Sequence, residues 1–278
     1  MRLLRVSAIS YLNTAPLMWD FEHTHVGSAF DISYTLPSLC AAALQNGSAD
    51  IGIIPAAAYA TTPDLLILPG VAIASKQAVR SILLVSKVPR ERILTVAVDA
   101  SSLTSVALLQ ILFTKWWGGH RPFTTMDPDV ERMLEQHDAG LVIGDPALKV
   151  DRSRYFTCDL AEEWIRLTGH PFVFAFWAVR QAALKELSPT LDLASIFQES
   201  RDHGVREENL EQIVHEWAPR VHLSEADIKN YLTQNIHYYL DPACLNGMQL
   251  FFRYAEEYGI LLAAPPPTFL NVAKSLIA

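Results

Sequence analysis

Four uncharged polar side chains stand close together after the first apolar run of the chain: Ser10, Tyr11, Asn13 and Thr14. Residues 2–8 (RLLRVSA) have the short apolar pattern of a buried strand, which would place this group at the carboxyl edge of a sheet. Open α/β folds bind small ligands at that edge. Because Asn and Thr are also favoured in turns and at helix N-termini, a turn followed by a helix cap is the alternative interpretation.

A second polar run, residues 101–105 (SSLTS), lies between the apolar run TVAVD and a segment with helical character. Hydroxyl groups and the free N–H groups of a first helical turn are suited to hold a carboxylate, so Ser102, Thr104 and Ser105 are candidate ligand-binding residues. Ser and Thr are equally common as plain helix caps, and the sequence leaves both interpretations open.

Two further candidates accompany other apolar runs. Ser81 belongs to the strand-like segment VRSILLVSK, and Asp145 follows the run AGLVIG. Asp145 could bind a hydroxyl group or act as a general base, but an Asp before Pro146 more often caps a helix. His23 and His25 resemble a metal-binding pair, yet no third ligand stands at a useful spacing, so we predict no metal site.

The order of the predicted elements determines whether these segments can meet. Residues 1–55 have the pattern strand, helix, strand, helix, strand, which is typical of a parallel sheet. Two strand-like runs at 65–75 and 79–87 precede a second alternation of strands and helices that begins at TVAVD. A long apolar strand at 171–180 then leads into a C-terminal part whose pattern is helical throughout.

Helices without strands of their own must pack on a sheet formed elsewhere, most economically the sheet of residues 1–80. We therefore predict an α/β protein with two lobes, residues 1–86 plus 178–278 and residues 87–177, as in type II periplasmic-binding-protein-like folds. The ligand would lie in the cleft between the lobes. Two Rossmann-like domains in tandem are the structural alternative.

The composition excludes several classes of function. Of the 278 residues, 50% are hydrophobic and 19% are charged, so the chain has enough apolar residues to bury a sizeable core. A net charge of −8 argues against nucleic acid as a partner. Three widely spaced cysteines argue against a disulfide framework and indicate a reducing compartment. Without a signal pattern or an apolar run of about 18 residues, we expect a cytoplasmic protein with a small-molecule ligand and no membrane partner. The oligomeric state is left open.

Seven segments, in order along the chain, carry a resemblance to a known family. They are SYLNT, G-x-A-D-I-G-I-I-P, PG-x-A-I-A-S, VRSILLVSK, D-x-S-S-x-T-S, L-V-I-G-D-x-A-L and W-x-x-x-TG-x-PFVFA-x-W. Together they resemble the chorismate dehydratase family of the futalosine route to menaquinone. The resemblance runs from residue 3 to about residue 180 and continues more weakly to Ile260.

The resemblance implies the two-lobe fold and a hydro-lyase that converts chorismate to 3-[(1-carboxyvinyl)oxy]benzoate and water with no cofactor. Carried over by position, Asn13 and Ser81 are expected to be needed for turnover. Thr104 and Ser105 match the carboxylate-binding helix start. From their places in the cleft we add substrate-binding candidates: Ser10, Tyr11, Ser102 and Asp145.

The chemistry of such a site requires few charges, because formation of the benzene ring drives the reaction. No His, Glu or Lys lies in the SYLNT, VRS or SSLTS segments, so we hypothesise that a carboxylate of the substrate itself takes the proton. A rival of a different class is a solute-binding or ligand-sensing module, since this architecture hosts both. A third possibility is the related enzyme that forms 1,4-dihydroxy-6-naphthoate, which should lack SYLNT.

Overall fold

The computed structural model of the protein describes residues 2–185 and 191–271. Its strands are β1 (Leu4–Ile9), β2 (Phe30–Thr35), β3 (Ile51–Pro55), β4 (Leu65–Ser75), β5 (Ile82–Ser86), β6 (Val96–Asp99), β7 (Phe123–Met126), β8 (Ala139–Ile143), β9 (Phe156–Asp159), β10 (Phe172–Arg180) and β11 (His237–Leu240). Its helices are α1 (Trp19–His23), α2 (Pro37–Gln45), α3 (Leu103–Lys115), α4 (Val130–Gln136), α5 (Gly144–Leu148), α6 (Leu160–Thr168), α7 (Gln181–Leu184), α8 (Leu193–Gly204), α9 (Glu207–Val221), α10 (Glu225–Asn230) and α11 (Pro242–Glu257). Short 3-10 turns cover Leu12–Met18, His25–Ala29, Ala56–Ala60 and Arg90–Arg92, and a π-helical turn covers Tyr231–Asn235.

Within the described ranges the strands form two sheets, one for each lobe. The first has the order β11-β4-β10-β3-β1-β2 and the second the order β7-β6-β8-β5-β9. Strand β1 pairs in parallel with β2 and β3, while β10 runs antiparallel between β3 and β4. In the second sheet β6 is parallel to β7 and β8, and β5 is antiparallel to β8 and β9. The chain therefore crosses between two α/β lobes twice, as predicted.

Both crossings lie earlier along the chain than the predicted limits at 86/87 and 177/178. Strand β5 (Ile82–Ser86) pairs within the second sheet, so the first crossing falls between Ser75 and Ile82. Strand β10 pairs within the first sheet from Phe172 onwards. Both strands are apolar and almost wholly buried, so their hydrophobicity does not indicate which of the two sheets they join.

The C-terminal part of the chain also contains a strand, where the sequence pattern predicted only helices. Strand β11 pairs antiparallel with β4 at the edge of the first sheet, and its alternate residues Tyr238 and Leu240 are buried. A four-residue run with two tyrosines is short for a helix and suits an edge strand. The neighbouring helices do pack on the first lobe, for instance through the rings of Phe251 and Phe172, whose centroids are 5.3 Å apart.

The aromatic side chains of β10 and α6 belong to the core, as expected. Trp164, Phe172, Phe176 and Trp177 each have a relative exposure of 0%.

Among the residues described by the structure, no helix combines the length and the apolar character that crossing a membrane requires.

Candidate active site

A cavity of about 50 Å³ lies between the lobes, where the carboxyl end of β1 faces the start of α3. Its polar lining residues are Tyr11, Asn13, Ser101, Ser102, Thr104 and Ser105. The remaining wall is mainly apolar and includes Ile9, Ile73, Ile82, Ile143 and Phe174. The structure thus brings together five of the predicted site residues from segments that are about ninety positions apart.

The cavity is small for a ligand-binding pocket. Pockets for small molecules usually have volumes of roughly 300–1,000 Å³, well above the 50 Å³ seen here. A substrate with a six-membered ring and two carboxylates therefore needs the lobes to move apart before it enters. Folds with two lobes generally open by hinge motion about the segments that join the lobes.

The first turn of α3 offers unpaired donors to the cavity. Ser102 is the N-cap residue of α3, but its side chain makes no capping bond, and its hydroxyl is buried with no hydrogen-bond partner in the described part of the chain. A buried hydroxyl left unpaired costs about 1–3 kcal/mol. A ligand carboxylate at this helix start would satisfy both Ser102 and the free backbone N–H groups. The arrangement favours the ligand-binding interpretation of SSLTS over plain capping.

Several hydrogen bonds fasten the two lobes to each other around the cavity. The Thr104 hydroxyl accepts from the Ala57 N–H at 3.1 Å, and the Asp145 carboxylate accepts from the Leu12 N–H at 3.1 Å. The hydroxyls of Tyr11 and Ser101 are 3.5 Å apart. Asp145 is not one of the residues that line the cavity. Its carboxylate binds the SYLNT segment of the opposite lobe instead of capping its own helix.

Ser10, like Asp145, is a predicted binding residue that does not line the cavity. It is exposed, and both its backbone N–H and its hydroxyl donate to the Thr35 carbonyl, at 3.0 Å and 3.3 Å. These bonds attach the end of β1 to the edge strand β2. Ser10 therefore holds the segment in place, while Tyr11 and Asn13 are the members that reach the cavity.

A third residue, Tyr231, lies close to both Ser81 and Asn13. Ser81 is completely buried, with a relative exposure of 0%, and the Tyr231 hydroxyl donates to its Oγ at 2.8 Å. The Asn13 side chain lies close enough to the same tyrosine to lower the pKa of its hydroxyl, against the larger raising effect of burial. Sequence reasoning missed Tyr231, which lies in the segment IKNYLTQNIHYYL and resembles an ordinary packing residue there; its π-helical turn is the unusual feature.

The family of this chain follows from its sequence once the site has been described. Residues 4–257 match the profile of the family described as menaquinone biosynthesis. The chain belongs to that family. The chorismate dehydratase of Thermus thermophilus is similar to it, with 27% identity over 271 residues that cover 91% of this chain and 94% of the relative.

Solved structures of other proteins show the fold of this menaquinone biosynthesis family member. AF1704 from Archaeoglobus fulgidus superimposes with a TM-score of 0.71 and 17% identity, covering 93% of this chain and 98% of that chain. The periplasmic aliphatic sulphonate binding protein SsuA from Escherichia coli gives a TM-score of 0.65 and 17% identity, covering 98% and 94%. The predicted periplasmic-binding-protein-like fold is confirmed.

Gly144 allows the lobes to come close in this family member. Its φ of 63° is in the left-handed region, and a Cβ there would lie 2.5 Å from the Tyr11 ring. Its N–H also donates to the Ser81 carbonyl at 2.8 Å. A side chain at this position would push apart the two segments that form the site.

We expect Gly144→Ala to lower stability by about 1–3 kcal/mol and also to slow turnover, because it combines backbone strain with a displaced Tyr11. Gly169→Ala is the matched control, since Gly169 has a φ of 72° but no group elsewhere in the described residues lies within 4 Å of the position that its methyl group would take. Chemical denaturation and turnover of both variants check this. Equal effects of the two substitutions on turnover would contradict the role given to Gly144.

Burial changes the acidity of Asp145. Desolvation raises its pKa to about 6, against the lowering effects of the Leu12 N–H and the Lys149 charge. Between about pH 4 and 6 the folded protein therefore binds more protons at this site than the unfolded chain does. Stability falls as the pH rises through this window and levels off above it.

We expect the fall in stability with rising pH to disappear in Asp145→Asn. This variant keeps a side-chain oxygen that can accept the hydrogen bond from the Leu12 N–H. The raised pKa corresponds to a decrease of about 3 kcal/mol in the free energy of unfolding between about pH 4 and pH 6, at roughly 1.36 kcal/mol per pKa unit of difference between the folded and unfolded states. Urea denaturation of the wild type and the variant at several pH values provides the measurement. Because other carboxylates titrate in both proteins, the difference between the two profiles isolates Asp145. Parallel profiles would show that Asp145 is not the group.

Proposed function

We propose that this protein is a carbon–oxygen lyase that dehydrates chorismate to 3-[(1-carboxyvinyl)oxy]benzoate. The observation that carries the proposal is the convergence of Asn13 and Ser81 on Tyr231 beside a cavity whose other wall is the open start of α3. One wall thus holds uncharged hydrogen-bonding groups, and the other holds free donors suited to a carboxylate. The similarity to the Thermus thermophilus enzyme supports the same substrate.

The reaction removes a proton and a hydroxyl group from neighbouring ring carbons. The carbon that bears the enol ether loses its C–H proton, the adjacent carbon loses its hydroxyl group, and the two leave as one water molecule. The electron pair of the broken C–H bond completes a benzene ring, so no oxidant or reductant takes part. The site must orient the substrate and stabilise the charge that develops on the leaving oxygen.

The proposed roles follow from the position of each group. The Ser102 hydroxyl and the first N–H groups of α3 hold a substrate carboxylate, with Ser105 beside them in the cavity lining. The proposed contacts to the reacting carbons are Asn13, which lines the cavity from the first lobe, and Ser81, which is buried next to lining residue Ile82 at the crossing between the lobes. Tyr11 closes the cavity against Gly144. Thr104 is engaged with the Ala57 N–H, so it fixes the start of α3 to the first lobe.

We propose that a carboxylate of the substrate accepts the proton. The residues that line the cavity in the described part of the chain include no carboxylate, imidazole or ammonium group. Two carboxylates lie close to the lining residues, and each is engaged at one oxygen: Asp145 Oδ1 accepts from the Leu12 N–H, and Asp99 Oδ1 accepts from the N–H and the hydroxyl of Ser101. Asp145→Asn should therefore retain most of the turnover, whereas a general base at this position would make that variant almost inactive.

The alternative function is a small-anion binding module without catalysis, which the fold of SsuA favours. Incubation with chorismate, followed by ultraviolet absorbance of the aromatic product, distinguishes the two. We expect catalytic formation of the benzoate product. Binding of chorismate by calorimetry without product at high enzyme concentration would favour the binding module. We also propose a cytoplasmic location, since Cys40, Cys158 and Cys244 are all free.

A further inference from the structure

The π-helical turn Tyr231–Asn235 is attached to the segment that carries the chain from β4 to β5. The Asn235 side chain donates to the Ala78 carbonyl at 2.8 Å, and the Gln77 side chain donates to the Gln234 carbonyl. The Tyr231 hydroxyl adds the bond to Ser81. Single π-helical turns within helices occur frequently at functional sites. This turn fixes the crossing segment to the first lobe at three neighbouring positions.

The second lobe holds the same segment from the other side. The Asp159 carboxylate accepts from the Val79 N–H at 3.1 Å and from the Arg80 N–H at 2.7 Å. Arg80 has a φ of 63°, a left-handed conformation that is costly for a residue with a side chain. Strained backbone persists only where surrounding contacts hold it. The contacts on both sides of the segment thus set the direction in which the Ser81 side chain points.

The hydroxyl of Ser81 can donate one hydrogen bond and accept two. Tyr231 donates to one lone pair, and no group in residues 2–185 and 191–271 accepts the Ser81 proton. Burial raises the pKa of Tyr231, so this tyrosine keeps its proton and remains a donor. The residue after Ser81, Ile82, lines the cavity together with Asn13, so the cavity is the neighbouring space in which a ligand can accept the unused proton of Ser81.

We propose that Tyr231 is a positioning residue that acts through Ser81, directing the Ser81 O–H group at the substrate. The inference rests on the function proposed above and adds to it the residue that sets the donor direction of Ser81. In the dehydration, Ser81 then donates a hydrogen bond to the departing hydroxyl group. No proton transfer from Ser81 or Tyr231 is needed, because the proton of the leaving water comes from the substrate C–H bond.

The test compares two tyrosines that are buried in the same lobe. Tyr231 and Tyr238 have relative exposures of 1% and 3%, but the Tyr238 hydroxyl has no hydrogen-bond partner in the described part of the chain. We expect Tyr231→Phe to lower kcat with chorismate by about 10- to 100-fold with little change in KM. We expect Tyr238→Phe to keep the wild-type kcat. Thermal unfolding of both variants verifies that they are folded.

A double variant separates positioning from a general structural role. If Tyr231 acts through Ser81, adding Tyr231→Phe to Ser81→Ala should cause no further loss of turnover, measured with enzyme in excess over chorismate. A further loss as large as that of Tyr231→Phe alone would overturn the inference. So would a wild-type kcat in Tyr231→Phe, or equal losses in both Tyr→Phe variants. Absence of product with the wild-type protein would instead overturn the proposed function, and this inference with it.

Discussion

We expect Ser81→Ala to lower kcat by about 10²–10³-fold, the usual effect of removing one donor to a developing negative charge, while the protein remains folded. Ser81 is wholly buried at the crossing between the lobes, and its only described side-chain bond is the one that it accepts from Tyr231. The departing hydroxyl group of chorismate gains charge only in the transition state. Loss of a donor to that group therefore reduces kcat and kcat/KM equally and leaves KM nearly unchanged.

The Ser81→Ala variant should stay folded because the loss of stability is small. Removing the hydroxyl leaves the buried Tyr231 O–H group without an acceptor, which costs about 1–3 kcal/mol. Small domains have stabilities of about 5–15 kcal/mol, so most molecules remain native. Steady-state kinetics with chorismate, together with thermal unfolding, checks both parts of the prediction.

Ser86→Ala is the matched control for this experiment. Ser86 lies at the other end of β5, is 3% exposed, and donates to the carbonyls of Val88 and Asp138 at 2.7 Å and 3.0 Å. Its replacement should cost a similar amount of stability and leave kcat unchanged. If both serine variants lost turnover in proportion to their stability, Ser81 would have a structural role alone.

The sequence was most informative where one short segment determines its own geometry. The strand that ends at Ile9 and the helix that begins at Leu103 were both predicted, because apolar runs followed by polar residues mark such boundaries. These two boundaries place Asn13 and Ser102 on opposite walls of one cavity. The part of the site that depends on local pattern could thus be predicted.

Other features depend on contacts between distant residues, and a single sequence does not encode those in a readable way. Strand β5 was predicted to join the first lobe, but the strand belongs to the second sheet. Its five buried residues suit either sheet, so the sequence does not show which one it joins. Tyr231 meets Ser81 across 150 positions, and its helical spacing gave no sign of that bond. Ser10 belongs to the same motif as Asn13, yet the chain direction after β1 turns its hydroxyl to Thr35. Membership of a motif therefore does not fix where a side chain points.

Asn13→Ala should reduce kcat as strongly as Ser81→Ala, by about 10²–10³-fold. Asn13 is 8% exposed, lines the cavity, and lies beside the Tyr231 hydroxyl that holds Ser81. In the proposed mechanism its amide is the uncharged donor of the SYLNT segment to the reacting carbons. Alanine removes that donor and also frees Tyr231, so both halves of the hydrogen-bonding wall lose their fixed geometry.

Two further variants make the role of Asn13 specific. Asn13→Asp keeps the shape of the side chain but places a negative charge beside a substrate that carries two, so it should be at least as slow as Asn13→Ala. Asn209→Ala is the control, because Asn209 is half-buried in α9 and its amide donates to the His203 carbonyl at 2.8 Å, away from the cavity lining. We expect wild-type kcat for that variant. Wild-type turnover in Asn13→Ala would refute the site, because the reaction would then need no donor from the 3-10 turn that follows β1.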